Sequence, residues 1–485
     1  MSEQAAASVA GTMPSPVARL EPDAIGVAQD TVIGMASSAP AATAGLSIAA
    51  LAAATAYGAG AILILTAIPM LIIANAYRRL NLWNANCGAT FEWVGRAINP
   101  YLGYLTGWLM VAAYIIGTVA EVLLLGPSVL AVFGSDSTNT GANIGIGAAV
   151  GIVMLIIAIV GIRITARTQV GIALIEYLIL IGLSVAALIF AFSHHAGTAA
   201  HPSASWLNPS GVSGLGGSAV AGFLTAVFVY GGWDGTLYVN EEVKHRRVNP
   251  GRAAIWAVAL LAVIYTLAQV GFQGVLTGKQ LAHASEQGTV LVTAAQVIGG
   301  GFWAKAMALA IALSVIATTG TGIVLGARLV YGMASYRALP GFLSNVSRRW
   351  ATPVYASIMV GVLIIVLSAV YFLATSVQNA FFDVIDVVGF MFSIFYIMTA
   401  LAAMTYYRRR IFRSFWDFIT IGLLPLAAAG FLGWVLVKSI LGAGAALNWS
   451  LTAIVAIGIV LMIIARFGFK SPFFQIRRES DMQES

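Results

Sequence analysis

The chain has 485 residues, of which 60% are hydrophobic and only 9% charged, with a formal net charge of +7. A soluble domain carries about 25% charged residues, so most of this surface is not built to face water. Cys87 is the single cysteine, which excludes an internal disulfide, and the five histidines (His194, His195, His201, His245, His283) fall in expected loops with no metal-ligand spacing.

Residues 1–22 are Ala, Ser and Pro rich and lack the basic start and apolar run of a signal peptide, which predicts a disordered cytoplasmic tail. From there, apolar runs of about 20 residues recur almost to the end, as helices solvated by lipid require. A β-barrel would alternate every second residue, and these runs do not. The pattern predicts an all-α integral membrane protein. Its single transmembrane domain, residues 23–470, holds twelve spans near 28–50, 58–78, 100–131, 142–161, 165–193, 216–240, 252–276, 302–335, 352–375, 379–405, 417–440 and 448–467. Residues 471–485 form an expected cytoplasmic C-terminal tail.

Charge orients the spans. With the N-terminus inside, the outer loops hold only Lys279, Lys305 and Lys438, which leaves 22 of the 25 basic residues on the inner side. This positive-inside bias supports an even span count in a cell membrane with both termini cytoplasmic. Trp93, Trp206, Trp303, Trp350, Trp416 and Trp449 lie near span ends, where interfacial anchors are expected. The basic residues sit in short loops between spans, so they report orientation and not nucleic-acid binding.

Two spans are poor helices. Span 1 contains Ala36, Ser37, Ser38, Ala39 and Pro40, and the proline removes a backbone donor and clashes with the preceding turn. Span 6 contains Phe228, Gly231, Gly232, Trp233, Asp234 and Gly235, with three glycines and an acid within five residues. Span 6 comes five spans after span 1. Halves of five helices, 28–193 and 216–405, would then have opposite orientations, followed by two extra helices over 417–467. That is the inverted-repeat plan, in which interrupted helices present backbone groups and dipole ends to a solute at mid-membrane.

The stretch Phe228–Asp234 (FVYGGWD), then Val239–Glu242 and Asn249-Pro250, resembles the span 6 signature of the amino acid–polyamine–organocation transporters, in the form of their L-type amino acid branch. Gly326–Met333 with Leu339-Pro340 and Thr352-Pro353 resembles the family's pattern at the inner end of span 8. Cys87–Trp93, Pro100 and Gly107-Trp108 resemble its loop between spans 2 and 3. The resemblance covers about residues 25–470. It implies the five-plus-five fold with two added helices and secondary active transport by alternating access. It also implies that the two breaks hold the amine and carboxylate of the substrate, with Phe228 closing over it. Two positions depart from the family. The span 1 run is Ala36–Pro40 where many members have a Gly-Ser-Gly type run whose amides cradle a carboxylate, and Glu176 stands where proton-coupled members carry a lysine.

Charged residues inside a membrane cost roughly 2.5–3.5 kcal/mol at the centre and are functional candidates. Asp234 is the expected contact for a substrate ammonium, and Glu176 the expected coupling residue. Thr318 and Thr319 resemble hydroxyl ligands of a sodium site, with helix packing as their bland alternative. Glu121 reads as a structural hydrogen-bond partner outside the site. Glu241 and Glu242 are expected to pair with arginines in a solvated loop or gate. The sequence thus predicts an amino acid permease, with a polyamine or small-amine carrier as the alternative. A proton or sodium gradient would supply the energy in place of a cofactor. Enzyme motifs (HExxH, GxGD, Asp-rich) and the GxxxxGK[ST] phosphate loop of an ATP-driven pump are absent from the sequence.

Overall fold

The computed structural model describes residues 19–193, 200–208, 217–286, 288–374, 377–476 and 478–479. Most of the expected N-terminal tail lies outside them. Leu20 is buried and Glu21 pairs with Arg163 at 2.6 Å, so the last residues before span 1 already pack against the protein.

Among the described residues the fold is helical, with one isolated bridge between Ile25 and Val243. In chain order the helices are α1 (Val27–Ala36), α2 (Pro40–Thr55), α3 (Ala59–Trp83), α4 (Thr90–Ala97), α5 (Pro100–Val122), α6 (Leu125–Phe133), α7 (Thr140–Val160), α8 (Ile162–Ser193) and α9 (Gly217–Val229). Then come α10 (Asn249–Val275), α11 (Gly278–Glu286), α12 (Val290–Gly299), α13 (Gly301–Ser335), α14 (Val354–Ala374) and α15 (Val377–Tyr406). The last two are α16 (Phe415–Gly442) and α17 (Ala445–Gly468), each with one π-helical turn.

Ten continuous runs among the described residues are long and apolar enough to cross a membrane. One of them, Pro40–Trp83, has 44 residues, about 66 Å of helix at 1.5 Å per residue and twice a hydrocarbon core. It is interrupted by the turn Ala56–Gly58, so α2 and α3 are two legs. α9 has only 13 residues and is too short alone.

Three local expectations change. The stretch 100–131 is not one straight helix but α5 and α6, separated at Leu123–Leu124. The connection after α10 carries two short helices, α11 and α12. Trp93 and Trp206 are buried within the protein and do not face outward as anchors; the Trp93 indole donates to the Asn84 carbonyl at 2.7 Å and Trp206 stacks on Tyr57.

α5 and α13 are buried along most of their length, whereas little of the apolar helix α17 is buried. α13 packs against α5, α6, α7 and α8, and α10 packs against α1, α3 and α8. Glycines permit the closest crossings: a Cβ on Gly322 would lie 2.1 Å from Thr118 Oγ1. The described part of the C-terminal tail is docked. Phe473 is fully buried, stacked on Phe91 at 3.9 Å between centroids, and Glu479 pairs with Arg96 at 2.5 Å.

Candidate functional site

The break in span 1 follows from its residues. Ser37, Ser38 and Ala39 close a last turn through N–H bonds to Ile33, Met35 and Ala36 carbonyls at 3.1, 3.0 and 3.2 Å. A residue before proline is disfavoured in the right-handed region, and Ala39 takes φ +44°. Pro40 then opens α2 at its first position, where a missing N–H costs nothing.

This break is held from outside. The Ala41 N–H donates to Glu176 Oε1 at 3.1 Å and to Ser314 Oγ at 3.2 Å, and the Ala42 N–H reaches the same Ser314 Oγ at 3.4 Å. Thr318 donates to the Ala36 carbonyl at 2.6 Å, and Tyr265 to the Ser38 carbonyl at 3.0 Å. Thr43 Oγ1 lies 2.8 Å from the Ser38 carbonyl and 3.0 Å from Glu121 Oε1.

The break in span 6 turns on itself. α9 ends at Val229, Gly231 N–H closes on the Phe228 carbonyl at 2.7 Å, and Gly232 adopts φ +107°. A 3₁₀ turn over Trp233–Leu237 follows, then another over Asn240–Glu242. The two breaks touch. Ser37 Oγ donates to the Gly232 carbonyl, and a Cβ on Gly232 would stand 2.7 Å from the Ser37 carbonyl oxygen. A Cβ on Gly231 would stand 2.1 Å from the Phe392 ring. Glycine is therefore what lets the two unwound segments meet.

Between them lies a small cavity of about 30 Å³. Ser37, Ser38, Phe228, Gly231, Gly232 and Thr318 line it, from the residues expected at the site. Ala36, Ala39, Pro40, Trp233 and Asp234 belong to the same two segments but do not face it. Asp234 is fully buried behind the 3₁₀ turn, where the hydroxyls of Tyr238 and Tyr396 donate to its two carboxylate oxygens, the latter at 2.9 Å. Trp233 stacks on Tyr396 and meets Tyr77 edge-on in the same aromatic cluster.

The cavity wall also includes Glu121 from α5, expected to lie outside the site, and residues that the sequence did not single out: Tyr114 and Thr118 from α5, Thr43 from α2 and Phe392 from α15. Helical spacing of Tyr114, Thr118 and Glu121 places them on one face of α5, a signal present in the sequence. Glu176 is fully buried at the start of α2 and does not line the cavity. Thr319 back-bonds to the Val315 carbonyl at 2.7 Å and faces a separate recess beside Val122 and Ser368, so the two threonines do not share one site. Asp30 of α1 is a further buried acid, with neither carboxylate oxygen hydrogen-bonded.

The side of the molecule that carries the described terminal segments is sealed below this cavity. Arg328 and Glu242 form a two-point pair at 3.0 Å for each contact, with both side chains at 0% exposure, so this pair is not solvated as expected. Glu241 instead accepts the Cys87 N–H at 2.9 Å, and the Ala24 N–H binds the Glu242 carbonyl at 2.8 Å. On the opposite side, the ends of α2, α10 and α11 border an open recess of about 510 Å³ near Tyr57 and Gln273.

Residues 29–472 match the sequence profile of the amino acid permease family. The chain is similar to mouse Asc-type amino acid transporter 1, with 29% identity over 32% of this chain and 27% of that one. It is 27% identical to human large neutral amino acids transporter small subunit 2 over 38% of this chain and 32% of that one. Against the vacuolar cationic amino acid transporter 4 of Arabidopsis thaliana it is 23% identical over 57% and 47%. The chain thus spans about a quarter to a half of the lengths of these relatives. Among solved structures, the Eremococcus coleocola manganese transporter superposes with a TM-score of 0.52 at 13% identity, over 92% of this chain and 95% of that one. At that identity the likeness is one of fold. No cluster of three or more His, Cys, Asp or Glu suited to a metal ion occurs among the described residues.

Proposed function

The chain belongs to the amino acid permease family, and on that premise we propose that it is a secondary active transporter moving an amino acid across a cell membrane by alternating access around the cavity between the two breaks. One observation carries this reading. The two unwound segments, one between α1 and α2 and one after α9, touch each other and border one cavity, which is sealed on one side by Glu242 and Arg328. Backbone that is unwound in the middle of a membrane is tolerated where it is buried in protein or lines such a chamber. The reading includes twelve spans, counted with α1–α2 as span 1 and α9 with its 3₁₀ extension as span 6. The halves are inverted and both termini are cytoplasmic.

Coupling to protons is part of the proposal, with Glu176 as the carrier. Its Oε1 tethers the first N–H of α2 while its Oε2 has no partner, so a change of protonation would act directly on the hinge of span 1. A sodium-coupled mechanism is less well supported, because Thr318 and Thr319 face different spaces.

A carrier for an amine without a carboxylate is a second reading, and one observation favours it. The N–H groups of Ser37, Ser38, Ala39, Ala41 and Ala42 are all engaged within the protein, and Pro40 has none. The span 1 break therefore offers a carboxylate no amide. The test is uptake by purified protein in proteoliposomes, with a panel of labelled amino acids and amines under imposed proton or sodium gradients. Accumulation of an amino acid driven by inward proton movement is the expected result. Equal uptake without any gradient, or driven only by sodium, would refute the proton-coupled form.

A further inference from the structure

We infer that the Glu121 carboxylate, and not that of Asp234, receives the ammonium group of the transported solute. This rests on the reading of the cavity as the substrate chamber and names the group that recognises its cargo.

Three acids flank the breaks, and they differ in what their oxygens already have. Asp234 has a tyrosine hydroxyl on each oxygen, lies at 0% exposure and does not face the cavity. Glu176 sits on the far side of the α2 start, with Oε1 taken by Ala41 and the side chain away from the cavity. Glu121 lines the cavity, and its Oε2 is buried without a partner. Its Oε1 has only Thr43 Oγ1, which also lies 2.8 Å from the Ser38 carbonyl. A hydroxyl has one proton and cannot serve both. An ionised Glu121 is therefore short of donors, although a carboxylate accepts up to about four hydrogen bonds.

A buried carboxylate lacking donors is costly unless a cation or donor arrives. The remaining wall specifies which. Phe228 and Phe392 present aromatic rings, Tyr114 and Thr118 are on the same helix face as Glu121, and no basic side chain lines the cavity. A carboxylate with an unpartnered oxygen favours an alkylammonium, and the wall offers no cation for a carboxylate group. An ammonium on Glu121 would also sit one hydroxyl, Thr43, away from the Ser38 carbonyl at the span 1 break. Occupancy is thereby linked to the hinge.

The experiment measures uptake of the best labelled amino acid from the panel by wild type, Glu121→Gln and Glu121→Asp in proteoliposomes. Two unlabelled competitors are added to wild type: the decarboxylated amine of that amino acid and its deaminated acid. The expected result is inhibition by the amine and none by the acid. Glu121→Gln should raise KM by about tenfold or more, as loss of a charge-assisted contact predicts, with Glu121→Asp recovering part of it. An unchanged KM in Glu121→Gln, or competition by the acid equal to that by the amine, overturns the assignment. If Glu121→Gln fails to fold, as judged by thermal denaturation in detergent, the competition in wild type decides.

A wild type that accumulates no amino acid would defeat the transport reading and not this one. In that case thermal stabilisation of wild type by the panel amines, and not by their deaminated acids, is the deciding measurement. The absence of any such shift overturns the Glu121 assignment.

Discussion

The break between α1 and α2 is held at its freed amides by side chains from other helices, whereas the break after α9 closes its amides in local turns and takes outside hydroxyls, from Ser37, Tyr114 and Tyr396, only at the Gly232 carbonyl and the Asp234 carboxylate. In the first, Glu176, Ser314, Thr318 and Tyr265 satisfy the amides and carbonyls freed by Pro40. In the second, glycines allow turns that bond locally, and Asp234, Tyr238 and Tyr396 knit the 3₁₀ segment to α15. A break that depends on distant side chains can be retuned by moving those helices or by changing their protonation. A break that depends on its own geometry acts as a fixed wall. On the proposed alternating-access mechanism, span 1 would be the part that moves and span 6 the reference surface.

The sharpest way to break that comparison is Gly232→Val. A β-branched residue at φ +107° is strained by about 1–3 kcal/mol. Its Cβ would also meet the Ser37 carbonyl at 2.7 Å. Loss of folded protein, or a fall in Tm of more than about 10 °C, is expected, and an unchanged Tm would show that the two breaks do not need close approach. Next in size is Arg328→Met, which leaves the buried Glu242 unpaired at a cost of about 3–5 kcal/mol. Cys87, buried beside Glu241, reports the same seal, so its alkylation by a maleimide should accelerate in this variant. Adding Glu242→Leu should recover most of the lost stability, and no recovery would sink the view that the cost is an orphaned charge.

Asp234→Ala removes the acceptor of two buried tyrosine hydroxyls, each left at a cost of about 1–3 kcal/mol. A lowered Tm together with lost uptake is expected, while Asp234→Asn retains one acceptor and more of both. If Asp234→Ala kept full stability and lost only substrate affinity, the fixed-wall role would pass to a binding role. Glu176→Gln keeps an oxygen that can accept the Ala41 N–H. Its expected effect is on the dependence of uptake on a proton gradient, with stability changed by less than about 1 kcal/mol, the worth of a typical hydrogen bond. Gradient-driven uptake equal to wild type would take the coupling role from Glu176. The smallest effect belongs to Thr319→Val, which removes a hydroxyl bonded only to its own helix. Uptake and Tm should stay within error of wild type, and a lost sodium response would reinstate a sodium site.

The breaks themselves were legible because proline and clustered glycines act locally: Pro40 and Gly231-Gly232 dictate backbone wherever the helix sits. Glu121 was read as structural because one acid in a span does not say which way it faces. Asp234 drew attention because the segment around it is unusual, yet burial turned it towards Tyr238 and Tyr396 and away from the cavity. The division of 100–131 into α5 and α6 also had a local cause: Pro127 lacks the N–H that would bond the Leu123 carbonyl four residues back, and its ring crowds that carbonyl.

Composition, apolar run lengths and the placement of arginines were enough to predict a multi-spanning helical protein with unwound segments in spans 1 and 6, since those properties depend on lipid solvation and local backbone sterics. Only the tertiary structure decided which acid faces the chamber, which is saturated by tyrosines and which tethers a helix start. Hydrogen-bond satisfaction is a property of neighbours brought together from distant parts of the chain, and no local pattern records it.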